Sequence, residues 1–182
     1  MRLITKVDLR EFEIDDWKAV HAYASQDIVS QYAPWGPNSS NDSKGFVEQV
    51  VKDAKQDPRI RYALAVVENE TGSLIGASEI NIRDVENRSG EISYIIHPDY
   101  WGRGIATTVA AKLIELGFKQ LNLHRVFATC DPRNVGSARV LEKVGMVKEG
   151  VIRDDILIKD GWRDSALYSL LEQEYYKLKG VK

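Results

Sequence analysis

The segment Gly102-Arg103-Gly104-Ile105-Ala106-Thr107 constrains this chain most, because of what lies on either side of it. Upstream, Gly90-Glu91-Ile92-Ser93-Tyr94-Ile95-Ile96-His97-Pro98 reads as a strand stopped by proline. Downstream, Ala106, Val109, Ala110, Leu113, Ile114 and Gly117 recur at helical spacing. A strand, a short glycine loop and a helix make a backbone cradle for an anion. The glycines let the main chain approach closely, and free N–H groups at the positive end of the helix face a phosphate. A phosphorylated cofactor is the expectation.

The loop imitates a dinucleotide fingerprint. Gly102-x-Gly104 opens a helix after a strand, and Asp131 ends the next strand, His124 to Cys130, at a distance suited to a ribose contact. Three features argue against that reading. Thr107 stands where the third glycine belongs, and the element begins only after about half the chain. Strand-helix alternation also stops soon afterwards and gives way to a hairpin.

Composition fits one enzyme-sized domain. A chain of 182 residues can bury roughly 70% of its unfolded surface. With 27 acidic and 25 basic residues, no net field points to nucleic acid or to an anionic membrane. No apolar run approaches a membrane span, and the first residues lack a secretory pattern, so a cytoplasmic location is the default. The single cysteine, Cys130, excludes an internal disulfide framework and a cysteine-based metal cluster. Three histidines without ligand spacing make no metal site.

Read for organisation, a strand near Lys6 to Phe12 leads to a helix starting at Asp15 or Asp16. Tyr32 to Ser43 reads as a loop rich in Pro, Gly, Asn and Ser. A helix carrying Phe46, Val47, Val50, Val51 and Ala54 follows. Strands at Tyr62 to Glu68 and Ser73 to Ile82 flank a turn at Asn69-Glu70-Thr71-Gly72. The cofactor half comes next, with its strand, loop, helix, a strand around Phe127 and a helix from about Asn134. A last hairpin turns at Lys159-Asp160-Gly161. Strands before and after a central β-α-β unit predict a mixed α/β fold, its sheet mostly antiparallel and covered by helices.

The stretch from His97 to Gly150 resembles motifs A and B of the GCN5-related N-acetyltransferases (GNAT), specifically the RimJ/RimL-like branch. That family's acetyl-CoA loop is R/Q-x-x-G-x-G/A; here Trp101 stands at the R/Q position, with Gly104 and Ala106 at the small positions. Asn134-x-x-Ser137, Leu141-Glu142-Lys143-x-Gly145-Met146 and Glu149-Gly150 are similar to the branch. So are Gly161-Trp162-Arg163-Asp164 and Tyr168-Ser169-Leu170-Leu171, and, at the front, Leu9-Arg10 with Asp15-Asp16. The resemblance implies one N-acetyltransferase domain over 1–182, with two splayed parallel strands and helices on both faces. It implies acetyl transfer from acetyl-CoA to a primary amine, with no metal, by a monomer or homodimer.

Four physical jobs follow. Backbone donors from Trp101, Gly102, Arg103, Gly104, Ile105, Ala106 and Thr107 would hold the pyrophosphate. The pantetheine arm would add to the splayed sheet edge near Ile95 and His97, as an extra strand does. The attacking amine must be neutral, and the departing thiolate must be stabilised. Glu91, facing away from Ile92, Tyr94 and Ile96, is the first candidate for the base; a solvated strand glutamate or a structural ion pair is its bland alternative. Glu79 is second, with an exposed hairpin residue as its alternative.

The motif-B tyrosine that serves many family members as acid is replaced by Glu142. Ser137 resembles the branch's serine near the cofactor sulfur, and Asn134 the residue that bonds the pantetheine; both are also ordinary helix-start residues. Trp35, Tyr32 and Tyr62 are candidates for an acceptor pocket, with core or loop anchors as the alternative. Cys130 reads as a buried, inert thiol. The acceptor is a protein N-terminus, such as that of a ribosomal protein, or else a polyamine, an amino acid or an antibiotic. A non-catalytic CoA-binding module is the rival from another class.

Overall fold

A computed structural model describes residues 6–180. The outermost positions of the expected domain, 1–5 and 181–182, and the first residues read for a secretory pattern lie outside the described residues. The strands are β1 (Val7–Glu11), β2 (Arg61–Glu68), β3 (Leu74–Asp84), β4 (Ser89–Ile96), β5 (Arg125–Cys130), β6 (Val147–Ile158) and β7 (Gly161–Leu171). The helices are α1 (Trp17–Ala24), α2 (Asp27–Ser30), α3 (Ser40–Asp53), α4 (Ile105–Lys119), α5 (Val135–Lys143) and α6 (Glu172–Leu178).

All seven strands form one sheet in the order β1-β2-β3-β4-β5-β7-β6. Every neighbouring pair is antiparallel except β4 with β5. That parallel pair joins Ser89, Gly90 and Glu91 to Arg125, Val126 and Phe127, and goes no further. β5 stays paired with β7 as far as Cys130–Ala166, and β4 with β3 as far as Ile96–Gly76. The two parallel strands therefore diverge and leave a cleft between their C-terminal ends. Neither strand is frayed; each is simply held by its outer neighbour.

Alternation assigns the faces. Ile80, Ile92, Ile96, Val126 and Ala128 pack with Val109, Leu113 and Phe118 of α4, Leu141 of α5 and Tyr175 of α6. Ala63, Ala65, Ala77 and Ile95 point the other way, to Val20 and Tyr23 of α1 and Val47 and Val50 of α3. Both faces are thus covered by apolar stripes at helical spacing, each fully buried aliphatic side chain contributing roughly 1.5–3 kcal/mol. Among the described residues, no helix is long and apolar enough to cross a membrane.

One boundary moves. The expected loop from Tyr32 to Ser43 ends early, because α3 begins at Ser40. Ser39 Oγ accepts from the Asp42 amide at 3.2 Å, and Asp42 Oδ2 accepts from the Ser39 amide at 2.8 Å. This reciprocal cap starts a helix inside a polar run that reads as loop. The short α2 and the C-terminal α6 are further additions to the expected elements.

Candidate active site

The cradle is built as a rigid corner. His97 to Tyr100 turn tightly, with the Tyr100 amide on His97 O at 2.9 Å and the Trp101 amide on Pro98 O at 3.0 Å. The Trp101 indole Nε1 then donates to Ile96 O at 2.7 Å, pinning the loop to the end of β4. Gly102 and Gly104 have φ of +73° and +81°, a conformation that L side chains rarely adopt. A Cβ on either would meet no atom within 4 Å, so that side of the loop is open. No side chain caps α4 at Gly104. Among the described residues, the amides of Gly102, Arg103, Gly104, Ile105, Ala106 and Thr107 have no protein acceptor, while Thr108 resumes bonding with Gly104 O at 3.1 Å. These donors, at the positive end of a fifteen-residue helix, suit a pyrophosphate. Arg103 Nη2 donates to Asp99 O at 2.7 Å and its Cζ lies 4.9 Å from the Tyr100 ring centroid, so the loop itself holds this guanidinium.

The cleft adjoins the cradle through β4. The His97 amide donates to Ile75 O at 2.8 Å, and Ile95 pairs with Ala77, so the main chain of both faces β3. At the other end Arg88 O accepts from the His124 amide, toward β5. Strand alternation then turns the backbone groups of Ile92, Tyr94 and Ile96, not those of Ile95 and His97, into the cleft. The backbone groups open to an added strand thus lie one residue away from the expected Ile95 and His97. The Ile96 carbonyl is already taken by Trp101.

Two sets of polar side chains flank this cleft on opposite sheet faces. On the α5 side, Asn134 Oδ1 caps the helix by accepting from the Ser137 amide at 3.0 Å. Ser137 Oγ lies 3.3 Å from the Tyr94 hydroxyl, so a hydrogen bond links α5 to β4. Burial pushes the Tyr94 phenol up to about 12 and keeps it a proton donor. Burial also raises the Cys130 thiol, which removes thiolate character.

On the other face, Glu91 lines a groove of about 470 Å³ with Arg83, Phe127, Thr129, Asp155 and Leu167. Arg83 Nη2 and Nε lie 2.6 and 2.8 Å from Glu91 Oε2, and Thr129 Oγ1 lies 3.4 Å from Oε1. Arg125, also in the lining, is occupied by Glu149 at 2.6 Å. Among the described residues, Asp155 has no ion-pair partner.

The other sequence candidates are not brought together here. Tyr62 sits on the opposite face of the sheet, packed toward α4, under Arg59 with its Cζ 4.4 Å from the ring centroid. Glu79 is drawn into a structural network, with Arg61 Nη2 at 2.7 Å and Arg61 Nη1 reaching Asp53 at 3.1 Å. Trp35 is exposed on the α2–α3 loop and does not line the Glu91 groove. Asp131, the ribose candidate of the dinucleotide alternative, is buried and held by Arg133 at 2.7 Å. No group of three metal-ligating side chains occurs among the described residues.

Residues 6–147 match the family model described as an acetyltransferase (GNAT) domain. The chain belongs to this family. The uncharacterized N-acetyltransferase YnaD of Bacillus subtilis (strain 168) is 36% identical over 177 residues, spanning 96% of this chain and 99% of that protein. The spermidine N(1)-acetyltransferase of Vibrio cholerae is 26% identical over 171 residues, 94% of this chain and 96% of that one. The crystal structure of a GNAT-family acetyltransferase from Bacillus anthracis superposes with a TM-score of 0.82 at 32% identity, covering 93% and 98% of the two chains. The chain is accordingly an N-acetyltransferase, and the reading as a non-catalytic module is set aside.

Within this GNAT domain, sequence reasoning passed over three side chains. Arg83 and Asp155 were invisible because a cross-strand neighbour and a groove wall depend on pairing register, not on spacing. Tyr94 was assigned to the face away from Glu91. The signal that it meets Ser137 was present in that alternation together with the absent motif-B tyrosine.

Proposed function

We propose that this chain moves the acetyl group of acetyl-CoA directly to a primary amine, with the thioester held in the cleft between β4 and β5. The observation that carries the reading is the cleft's position. It starts beside the glycine cradle and has a carboxylate on one face and paired hydroxyls on the other. The cradle amides from Gly102 to Thr107 hold the pyrophosphate, and the arm bonds to the cleft-facing backbone of Tyr94 and Ile96. Asn134, at the head of α5, bonds the arm from the opposite wall.

The amine enters along the Glu91 groove. Asp155 attracts it as a cation, and Glu91, held by Arg83, takes its proton directly or through a water. The lone pair then attacks the carbonyl carbon; the C–N bond forms and the C–S bond breaks. As the nitrogen sheds its second proton, Ser137, supported by Tyr94, passes a proton to the departing sulfur and regains one from the nitrogen through water, so that the amide forms neutral and the sulfur leaves as the thiol. Direct attack needs no acyl-enzyme, in keeping with the buried Cys130.

Two acceptor classes suit the groove. Its open form accommodates an extended peptide N-terminus, as in the RimJ/RimL-like branch. The unpaired Asp155 and the likeness to a spermidine acetyltransferase favour a small polycation. A thiol-release assay over peptides with free N-termini, polyamines, amino acids and aminoglycosides decides between them. Turnover confined to one class names the acceptor, and release of CoA that ignores every amine would defeat the proposal.

A further inference from the structure

Arg163 is a guanidinium only 8% exposed, and among the described residues it has no carboxylate partner. The buried Asp131 carboxylate is near enough for the two charges to act on each other but makes no ion-pair contact with it, and burying such a guanidinium is costly, so it has to do something an apolar residue cannot. Its Nη1 donates to the Tyr32 carbonyl at 2.7 Å, across 131 positions of sequence. Its Nη2 donates to Ser165 Oγ at 3.0 Å, and Nε has no partner. The guanidinium therefore spends its best bond on the main chain of the α2–α3 loop.

Tyr32 is gripped a second time. Arg133 Cζ lies 5.7 Å from its ring centroid, and Arg133 is itself fixed by the buried Asp131, which directly follows β5. At the far end of the loop, the Asn38 amide donates to Ala24 O at 2.9 Å. The stretch 31–39 is thus tied both to the β7 strand and to the end of β5, one wall of the cleft. Arg163 shares its strand face with Leu167, which lines the Glu91 groove four residues on, about 13 Å away at the strand rise. A hollow of about 300 Å³, lined by Asp131, Arg133, Trp162, Arg163 and Asp164 among others, lies at the same end of the sheet.

We infer that Arg163 is a positioning residue for the acceptor: it latches the 31–39 loop against the end of β5, the strand whose Phe127 and Thr129 line the groove. Recognition of the amine then depends on Arg163, whereas acetyl-CoA, held at the cradle on α4, does not. The inference rests on the acceptor groove proposed above. Arg163→Lys restores one donor toward the Tyr32 carbonyl; Arg163→Met fills similar space with none.

The test measures steady-state kinetics of both variants with spermidine and an alanine-initiated peptide as acceptor probes, alongside amide hydrogen exchange over residues 32–38. Arg163→Met is expected to raise the acceptor KM about tenfold while the KM for acetyl-CoA stays within about twofold. Exchange over 32–38 should quicken about tenfold or more, and Arg163→Lys should recover part of both effects. An acceptor KM that stays put while the unaltered chain turns over would overturn the latch alone. Equal increases in both KM values would also overturn it, since they mark a merely structural role. Failure of the unaltered chain to acetylate any amine would instead bring down the groove reading and the latch together. If Arg163→Met does not fold, Arg163→Lys carries the same comparison.

Discussion

Tyr94 on β4 and Ser137 on α5 meet beside the cleft, hydroxyl to hydroxyl at 3.3 Å. The phenol, pushed up to about 12 by burial, remains protonated across the neutral range and can donate to Ser137 Oγ. On the proposed reading, Ser137→Ala removes the hydroxyl that faces the leaving sulfur. The expected result is a smaller loss than for the general base, because water and cleft-facing backbone donors also stabilise a thiolate. The loss should shrink as pH rises through about 8.5, where a free thiolate leaves without help. A kcat profile over pH, wild type against Ser137→Ala, checks this; a loss that is flat with pH would remove Ser137 from proton delivery.

Acetyl-CoA should protect the fold against heat, and NADH should not. The cradle fits one pyrophosphate, and the buried, ion-paired Asp131 is unavailable to a second ribose. At about a hundred times the dissociation constant, linkage gives roughly 2.7 kcal/mol of stabilisation. Gly104→Val should abolish the protection, since φ of +81° is strained for a β-branched residue and its side chain would project into the open side of the loop. Differential scanning fluorimetry with each ligand reads both effects. Equal protection by NADH would revive the dinucleotide alternative.

Glu149 predicts an acid-range signature. Hydrogen bonds from Arg125 and then Ser169 hold its carboxyl down to about 2, from an ordinary 4.5. A depressed carboxylate contributes stability that is whole above the unfolded pKa and is lost as pH falls toward the folded one. The difference in Tm between wild type and Glu149→Gln should therefore be steady above about pH 4.5 and close between there and pH 2. High salt should narrow it, because the pair is partly exposed. A gap that persists unchanged at pH 2 would contradict the assignment.

Cys130→Ala should leave kcat almost unaltered. The thiol is buried and raised, and direct attack leaves it no covalent part. Stability should drop by about 1 kcal/mol, the common scale of a small core truncation. Loss of turnover in a folded Cys130→Ala, together with an acetylated thiol trapped from wild type, would replace direct transfer with an acyl-enzyme.

The sequence disclosed some of these relations and hid others for physical reasons. The cradle was legible because positive-φ glycines, a proline-ended strand and an apolar helix stripe lie within one short segment. Both apolar faces were legible from period-two and period-3.6 spacing. The Ser39–Asp42 cap was hidden by a polar run that serves helix start and loop alike. Register was hidden too: whether Ile95 or Ile96 turns its backbone into the cleft depends on which neighbour β3 claims. The Arg83–Glu91 pair and the reach of Arg163 to Tyr32 require the finished sheet, and no local pattern encodes them. That Tyr62 faces α4 and not the proposed groove was hidden as well, because an aromatic strand residue carries no mark of which face will be covered.

The most direct test of Glu91 as the base is the rate of Glu91→Gln across pH with the best acceptor found. The substitution removes the proton acceptor and keeps the shape: its one amide oxygen can still accept from Arg83, and its amide nitrogen can donate to Thr129 Oγ1. With Glu91 as the base, kcat should fall by about 10² to 10⁴, the usual scale for a general base, with the KM for acetyl-CoA nearly unchanged. A Glu91→Gln enzyme with the wild-type rate and pH profile would take Glu91 out of the mechanism and leave proton removal to a group outside the Arg83–Glu91–Thr129 set.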